Sequence, residues 1–140
     1  MGERTDMNGD HLREGLKELY SALLALHAAL LDAVKADYAA SVRPIGGPMD
    51  LYQLVLNDPF FAWLRPLSSM LALLDERIHD KSLLKPDDAS NVVASARELF
   101  ESTDPGSFGS NFRNRLDGAA TASRYSEVKA ALTRMDAPNP

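Results

Sequence analysis

The residue types and spacings able to do chemistry in this chain gather in one stretch, Asp58–His79, reading DPFFAWLRPLSSMLALLDERIH. Wound as one helix, it sets Phe61, Arg65, Ser68, Ala72, Asp75 and His79 along a single flank. Arg65 and Asp75 would stand about 15 Å apart at 1.5 Å rise per residue, too far for direct pairing. Either a ligand lies between them or their partners come from another helix. Ser68 and Ala72 are small, and a proline kink at Pro66 would bare a carbonyl nearby, which is the anatomy of a shallow polar pocket. Trp63 borders it, and His27 is its candidate partner from another helix. The expected ligand-binding set is therefore His27, Trp63, Arg65, Ser68, Asp75 and His79. The plainer reading is a solvated shoulder, with Arg65 bridged to an acid and Asp75 paired to His79 one turn on.

Glu76 and His79 carry the Glu-x-x-His spacing that turns two metal ligands to one helical face. Two-metal carboxylate bundles use that pair twice and add a glutamate from each of two further helices. Here the pair occurs once. The three histidines (His11, His27 and His79) could serve one ion only if the fold gathered them, and His11 sits near a helix end. There is no cysteine, which removes disulfides, thiolate metal sites and cysteine nucleophiles. No nucleophile elbow, zinc-protease helix or dinucleotide fingerprint is present. The sequence nominates no catalytic residue and no cofactor. His27 stands out singly: it lies in an apolar stripe between Leu24 and Leu31, where an imidazole needs a hydrogen-bond partner.

The elements that must hold these groups read as helices throughout. The pattern predicts a first helix from Asp10 to Ala40, with a seam of Leu12, Leu16, Leu19, Leu23, Leu26 and Leu30. A second stripe follows Tyr20, Leu24, His27, Leu31, Val34 and Tyr38, and a small-residue strip runs from Ala22 to Ala40. So much apolar circumference implies a helix that is surrounded, by its own bundle or by a second copy. Arg43–Pro48 breaks it with paired glycines and prolines. A short helix Met49–Asn57 follows, then Asp58–His79 with Asp58 as N-cap and a seam of Phe60, Leu64, Leu67, Leu71, Leu74 and Ile78. After a connector at 81–85, Pro86 opens a helix ended by Thr103–Gly106. Ser107–Gly118 has a weaker pattern around Phe108, Phe112 and Leu116, and a last helix spans Ser123–Met135. Nothing alternates with period two. The expected fold is all-α: one bundle of four to five helices over residues 10–136, kinked at Pro66 or restarting there as a second helical piece, with frayed tails at 1–9 and 137–140.

Composition bounds the function classes. With 45% hydrophobic and 25% charged residues, this is the make-up of a soluble globular domain. The net charge of −5 argues against a nucleic-acid partner. Charge is uneven, though: Asn111–Met135 carries a net +3 against −8 elsewhere, as expected if a basic C-terminal segment packs on acidic helical faces. The longest uncharged apolar run, Leu19–Leu31, is too short to span a bilayer, so no membrane is expected. The lack of cysteine fits a cytoplasmic setting.

Two segments, Leu26-His27-Ala28-Ala29-Leu30-Leu31-Asp32 with Tyr38, and Asp58–Ser68 followed by Asp75-Glu76, resemble a family of small bacterial all-helical proteins without an assigned activity. The resemblance covers the first two-thirds of the chain. It implies a helical bundle and carries over no ligand or catalytic residue. The functional expectation is a non-enzymatic module that associates with itself through helix one or with another protein. The alternative is a bundle that binds an anion or a metal beside the kinked helix.

Overall fold

The computed structural model describes residues 2–80 and 84–136, with the side chains of 11–80 and 84–135. The expected C-terminal tail and most of the expected connector lie outside that range. The fold is all-α, with seven helices and no strand among the described residues: α1 Gly2–Ser41, α2 Pro48–Asn57, α3 Pro59–Ala62, α4 Arg65–His79, α5 Pro86–Glu101, α6 Phe108–Arg113 and α7 Ala119–Asp136. Five of these have ten residues or more; α3 and α6 are single short turns.

Helix α6 ends at Arg113, short of the expected Gly118, and three other boundaries differ from the sequence expectation. Helix α1 begins at Gly2 rather than Asp10, because a lone glycine at position 9 weakens a helix by only about 1 kcal/mol against alanine. Helix α7 begins four residues early, since Ala119-Ala120 are strong helix formers and Ala122 closes the first turn on the Gly118 carbonyl. The predicted helix at 58–79 is two helices. Pro66 lies in the first turn of α4, where a missing N–H leaves nothing unsatisfied, so of the two outcomes expected at this proline the chain takes the restart. That restart shifts the helical phase. Phe61, placed on the polar flank by a continuous helix, is fully buried, and Phe60 is only half-buried.

Helix α1 is the axis of the molecule. Its leucine seam from Leu16 to Leu30 is buried, as are Val34 and Tyr38 at its far end. Its most extensive partner is α7, then α4. Both run antiparallel to it: His27 meets Ser68 and Arg13 meets the Ile78 carbonyl on α4, while Gly15 faces Met135 and Glu18 pairs with Arg134 on α7. Small residues on α1 and Ala131 on α7 let these two helices approach closely. By length and composition alone α1 could cross a membrane, since an 18-residue window within His11–Ser41 has a mean hydropathy of 1.4; in the fold that span supplies the central seam of the core.

Two aromatic clusters pack beside the seam. Tyr38, Phe60 and Phe61 form one. Phe100, Phe108, Phe112 and Tyr125 form the other, extended by Trp63 over Phe108.

Arginines finish three of the helices. The last carbonyls of a helix have no partner within it and carry its negative dipole end. Arg13 donates to Ile78 O of α4, Arg65 to Leu56 O of α2 at 2.7 Å, and Arg113 to Phe100 O and Ser102 O at the end of α5. The other basic groups of the C-terminal segment are also engaged within the chain: Arg115 with Asp37, Arg134 with Glu18, Arg124 with Glu127, and Lys129 over the Tyr125 ring. Two of these pairs, Arg115–Asp37 and Arg134–Glu18, hold α7 and its preceding turn against α1.

Candidate functional site

The six expected site residues do not form one cavity. His27 and Ser68 do meet: His27 Nε2 and Ser68 Oγ share a hydrogen bond of 2.9 Å across the α1–α4 interface. Ser68 lies one turn beyond Leu64, whose carbonyl is 3.5 Å from its hydroxyl. Burial holds the His27 imidazole below the ordinary 6.5, because moving the ring out of water disfavours its charged form. A neutral ring bonded to a hydroxyl is a satisfied interior polar pair. Among the described residues no third group bonds the imidazole from its other side, so the pair lacks the orienting partner of a nucleophile and its base.

The remaining members are elsewhere. Trp63 is half-buried against Phe108, with ring centroids 5.6 Å apart. Arg65 turns away from Asp75 to cap α2. Asp75 and His79 pair with each other: His79 Nδ1 donates to the Asp75 carbonyl at 2.8 Å and lies 3.1 Å from its carboxylate. Both side chains are more than half exposed, where such a pair contributes little to stability. Glu76 is exposed beside them. Among the described residues no group of three histidine or acidic side chains is arranged to hold a metal ion.

The neutral state of His27 has a measurable consequence. A depressed imidazole pKa contributes stability that is complete above the unfolded value near 6.5 and is lost as pH falls through the folded value. Replacement by glutamine, which keeps a donor near Ser68 but cannot titrate, should remove that part of the pH response. The expected result is a melting temperature for His27→Gln that gains on wild type as pH is lowered from about 7.5 to about 5. Parallel curves for the two proteins would show that His27 does not change protonation on unfolding.

A cavity of about 310 Å³ lies at the other end of α1, between α1, α5 and α7. Its floor is Leu12, Gly15, Ala89 and Met135, and its rim includes Glu14, Glu18 and Arg134. The void exists because Gly15 and Ala89 have almost no side chain where the three helices meet. Met135 Cγ sits 3.4 Å from where a Gly15 Cβ would be. The sequence reading missed it for a definite reason. With a helix start at Asp10, Glu14 and Glu18 read as carboxylates complementing a helix dipole. With the start at Gly2 they lie more than three turns in, on the face that meets α7. The available signal was His11, Glu14 and Glu18 at spacings of three and four with a glycine among them.

Comparison of the chain with protein-family models, with curated proteins and with solved structures gives no match, so the site rests on its own geometry.

Proposed function

We propose that this chain is a non-enzymatic helical module that works by association, in the first place with a second copy of itself. The observation that carries the reading is the outer face of α2. Met49, Tyr52 and Leu56 recur at spacings of three and four and are 70%, 58% and 49% exposed, and Val42 beside them is 58% exposed. Leu54 is buried on the opposite side, with Leu51 and Val55 half-buried. A ten-residue helix that is apolar on both faces has one face more than its own fold needs.

The sequence pointed instead to helix one. There the apolar circumference is largely used within the chain: α3, α4, α5 and α7 pack on it, and Leu24 is its one strongly exposed leucine among the described residues. Helix α2 packs mainly on α3 and is free outwardly. Three apolar groups centred on Tyr52 suit an isologous contact, in which two α2 helices lie antiparallel across a two-fold axis and Met49 of each meets Leu56 of the other.

Sedimentation velocity over a concentration series tests this. Wild type is expected to dimerise reversibly, and Tyr52→Glu to weaken the dimer at least about tenfold, with its thermal stability within about 0.5 kcal/mol of wild type. A wild-type chain that stays monomeric to about 1 mM, or a Tyr52→Glu dimer of unchanged strength, would overturn it. A second reading, small-molecule binding, draws support from the cavity at the far end of α1 and not from the Arg65–His79 flank.

A further inference from the structure

We propose that the cavity between α1, α5 and α7 is a binding site for a small amphipathic organic cation, an alkyl or aryl amine rather than an anion. At about 310 Å³ it stands at the small end of the range for ligand pockets. That suits a compact molecule, not a nucleotide or a peptide. The floor is apolar, built from Leu12, Ala89 and the Met135 thioether, a flexible and polarisable group that adapts to the shape placed on it. Gly15 brings backbone rather than side chain to the base.

The rim sets the charge of the ligand. Glu14 and Glu18 project from α1 one turn apart and both line the cavity, against the guanidinium of Arg134 and the imidazole of His11. Arg134 Nε is already held by Glu18 at 2.9 Å. Glu14 has only Lys17, at 3.5 Å along its own helix, with the two side chains 70% and 51% exposed. Such a surface contact is worth little and a ligand ammonium readily replaces it. A cation entering head-out would place its charge between the two carboxylates and its hydrocarbon on the Leu12–Met135 floor. An anion would face both carboxylates and would have to take Arg134 from Glu18. The site lies some 26 residues along α1 from its C-terminal end, about 40 Å from the turn leading to α2, so it is independent of the association face.

Titration of the isotope-labelled chain with hexylammonium, hexanoate and hexanol, followed by NMR, decides the matter. Hexylammonium is expected to shift the Gly15 amide and the Met135 methyl saturably, while hexanoate at equal concentration leaves them unmoved and hexanol binds more weakly. Glu14→Gln with Glu18→Gln should weaken hexylammonium at least about tenfold. Gly15→Ala serves as the control for folding, since alanine favours the helix by about 1 kcal/mol while narrowing the floor. It should stay folded and still bind hexylammonium less tightly. Hexanoate binding as well as hexylammonium, no saturable shift up to about 10 mM, or unchanged binding in the glutamine variant would each overturn the proposal.

Discussion

Gly109→Ala should lower stability by about 3 kcal/mol and the melting temperature by roughly 10 °C. Helix propensity argues the opposite sign, since alanine in place of a helical glycine normally gains close to 1 kcal/mol. The local geometry decides it. A Cβ on Gly109 would stand 2.5 Å from the Ser102 carbonyl oxygen, 2.7 Å from its hydroxyl and 2.9 Å from the Phe100 carbonyl oxygen. Two of those three atoms are backbone, and Arg113 holds both carbonyls at the end of α5. The Ser102 hydroxyl is fixed as well, donating to Leu99 O and accepting from the Gly109 N–H at 3.1 Å. Relief therefore requires α6 to lift from α5, and α6 carries Phe108 and Phe112 into the core. Ser110→Ala, next along the same helix, should stay within about 0.5 kcal/mol of wild type. Thermal melts of the two variants check the contrast. A Gly109→Ala protein as stable as wild type would mean that α6 does not dock on α5 this closely.

How much of this was legible beforehand depends on which physical signal each feature leaves in the sequence. The all-α class and the buried leucine seam of α1 were legible, because helical periodicity over thirty residues is a strong and redundant pattern. The face of α5 was legible for the same reason: of Ala89, Val92, Val93, Ala96, Leu99 and Phe100, which share one face by their spacing, all are buried but Leu99, which is half-buried. Phase was lost where the chain stops obeying one helix. The two-residue turn at Trp63–Leu64 moved Phe61 from an expected polar flank into the core, and no periodicity analysis that runs through Pro66 can see that. Of the expected site, the His27–Ser68 contact was the part that a sequence could suggest, since an imidazole in an apolar stripe demands a partner. Arg65 was misjudged for another reason. Its partner is a backbone carbonyl at the end of α2, and a helix's unpaired carbonyls depend on where it stops rather than on any side chain. The bundle-end cavity was illegible because it is an absence, made by Gly15 and Ala89 meeting across helices distant in sequence.

Phe112→Ala should be the more damaging of the two substitutions, at about 4 kcal/mol, a large share of the roughly 5–15 kcal/mol that holds a domain together. Phe112 is 1% exposed and its ring touches three others: Phe100 at 5.0 Å edge-on, Tyr125 at 4.8 Å edge-on, and Phe108 stacked at 5.6 Å. Truncation forfeits the transfer of a large ring out of water and leaves a hole that the cluster cannot collapse into, because its other rings are braced by separate helices, α5, α6 and α7. Phe112→Leu keeps most of the volume and should cost only about 1.5 kcal/mol. Urea unfolding followed by the fluorescence of Trp63, the sole tryptophan and a neighbour of this cluster through Phe108, reads both. The midpoint is expected to fall for each variant with the slope unchanged, as befits lost packing in an otherwise native fold. A cost below about 1 kcal/mol for Phe112→Ala would mean the aromatic cluster is loosely packed, and that α7 is held to the bundle by its contact with α1 alone. An altered slope would instead show that removing the ring loosens α6 and α7 together, making the aromatic cluster the joint on which the C-terminal third of the chain depends.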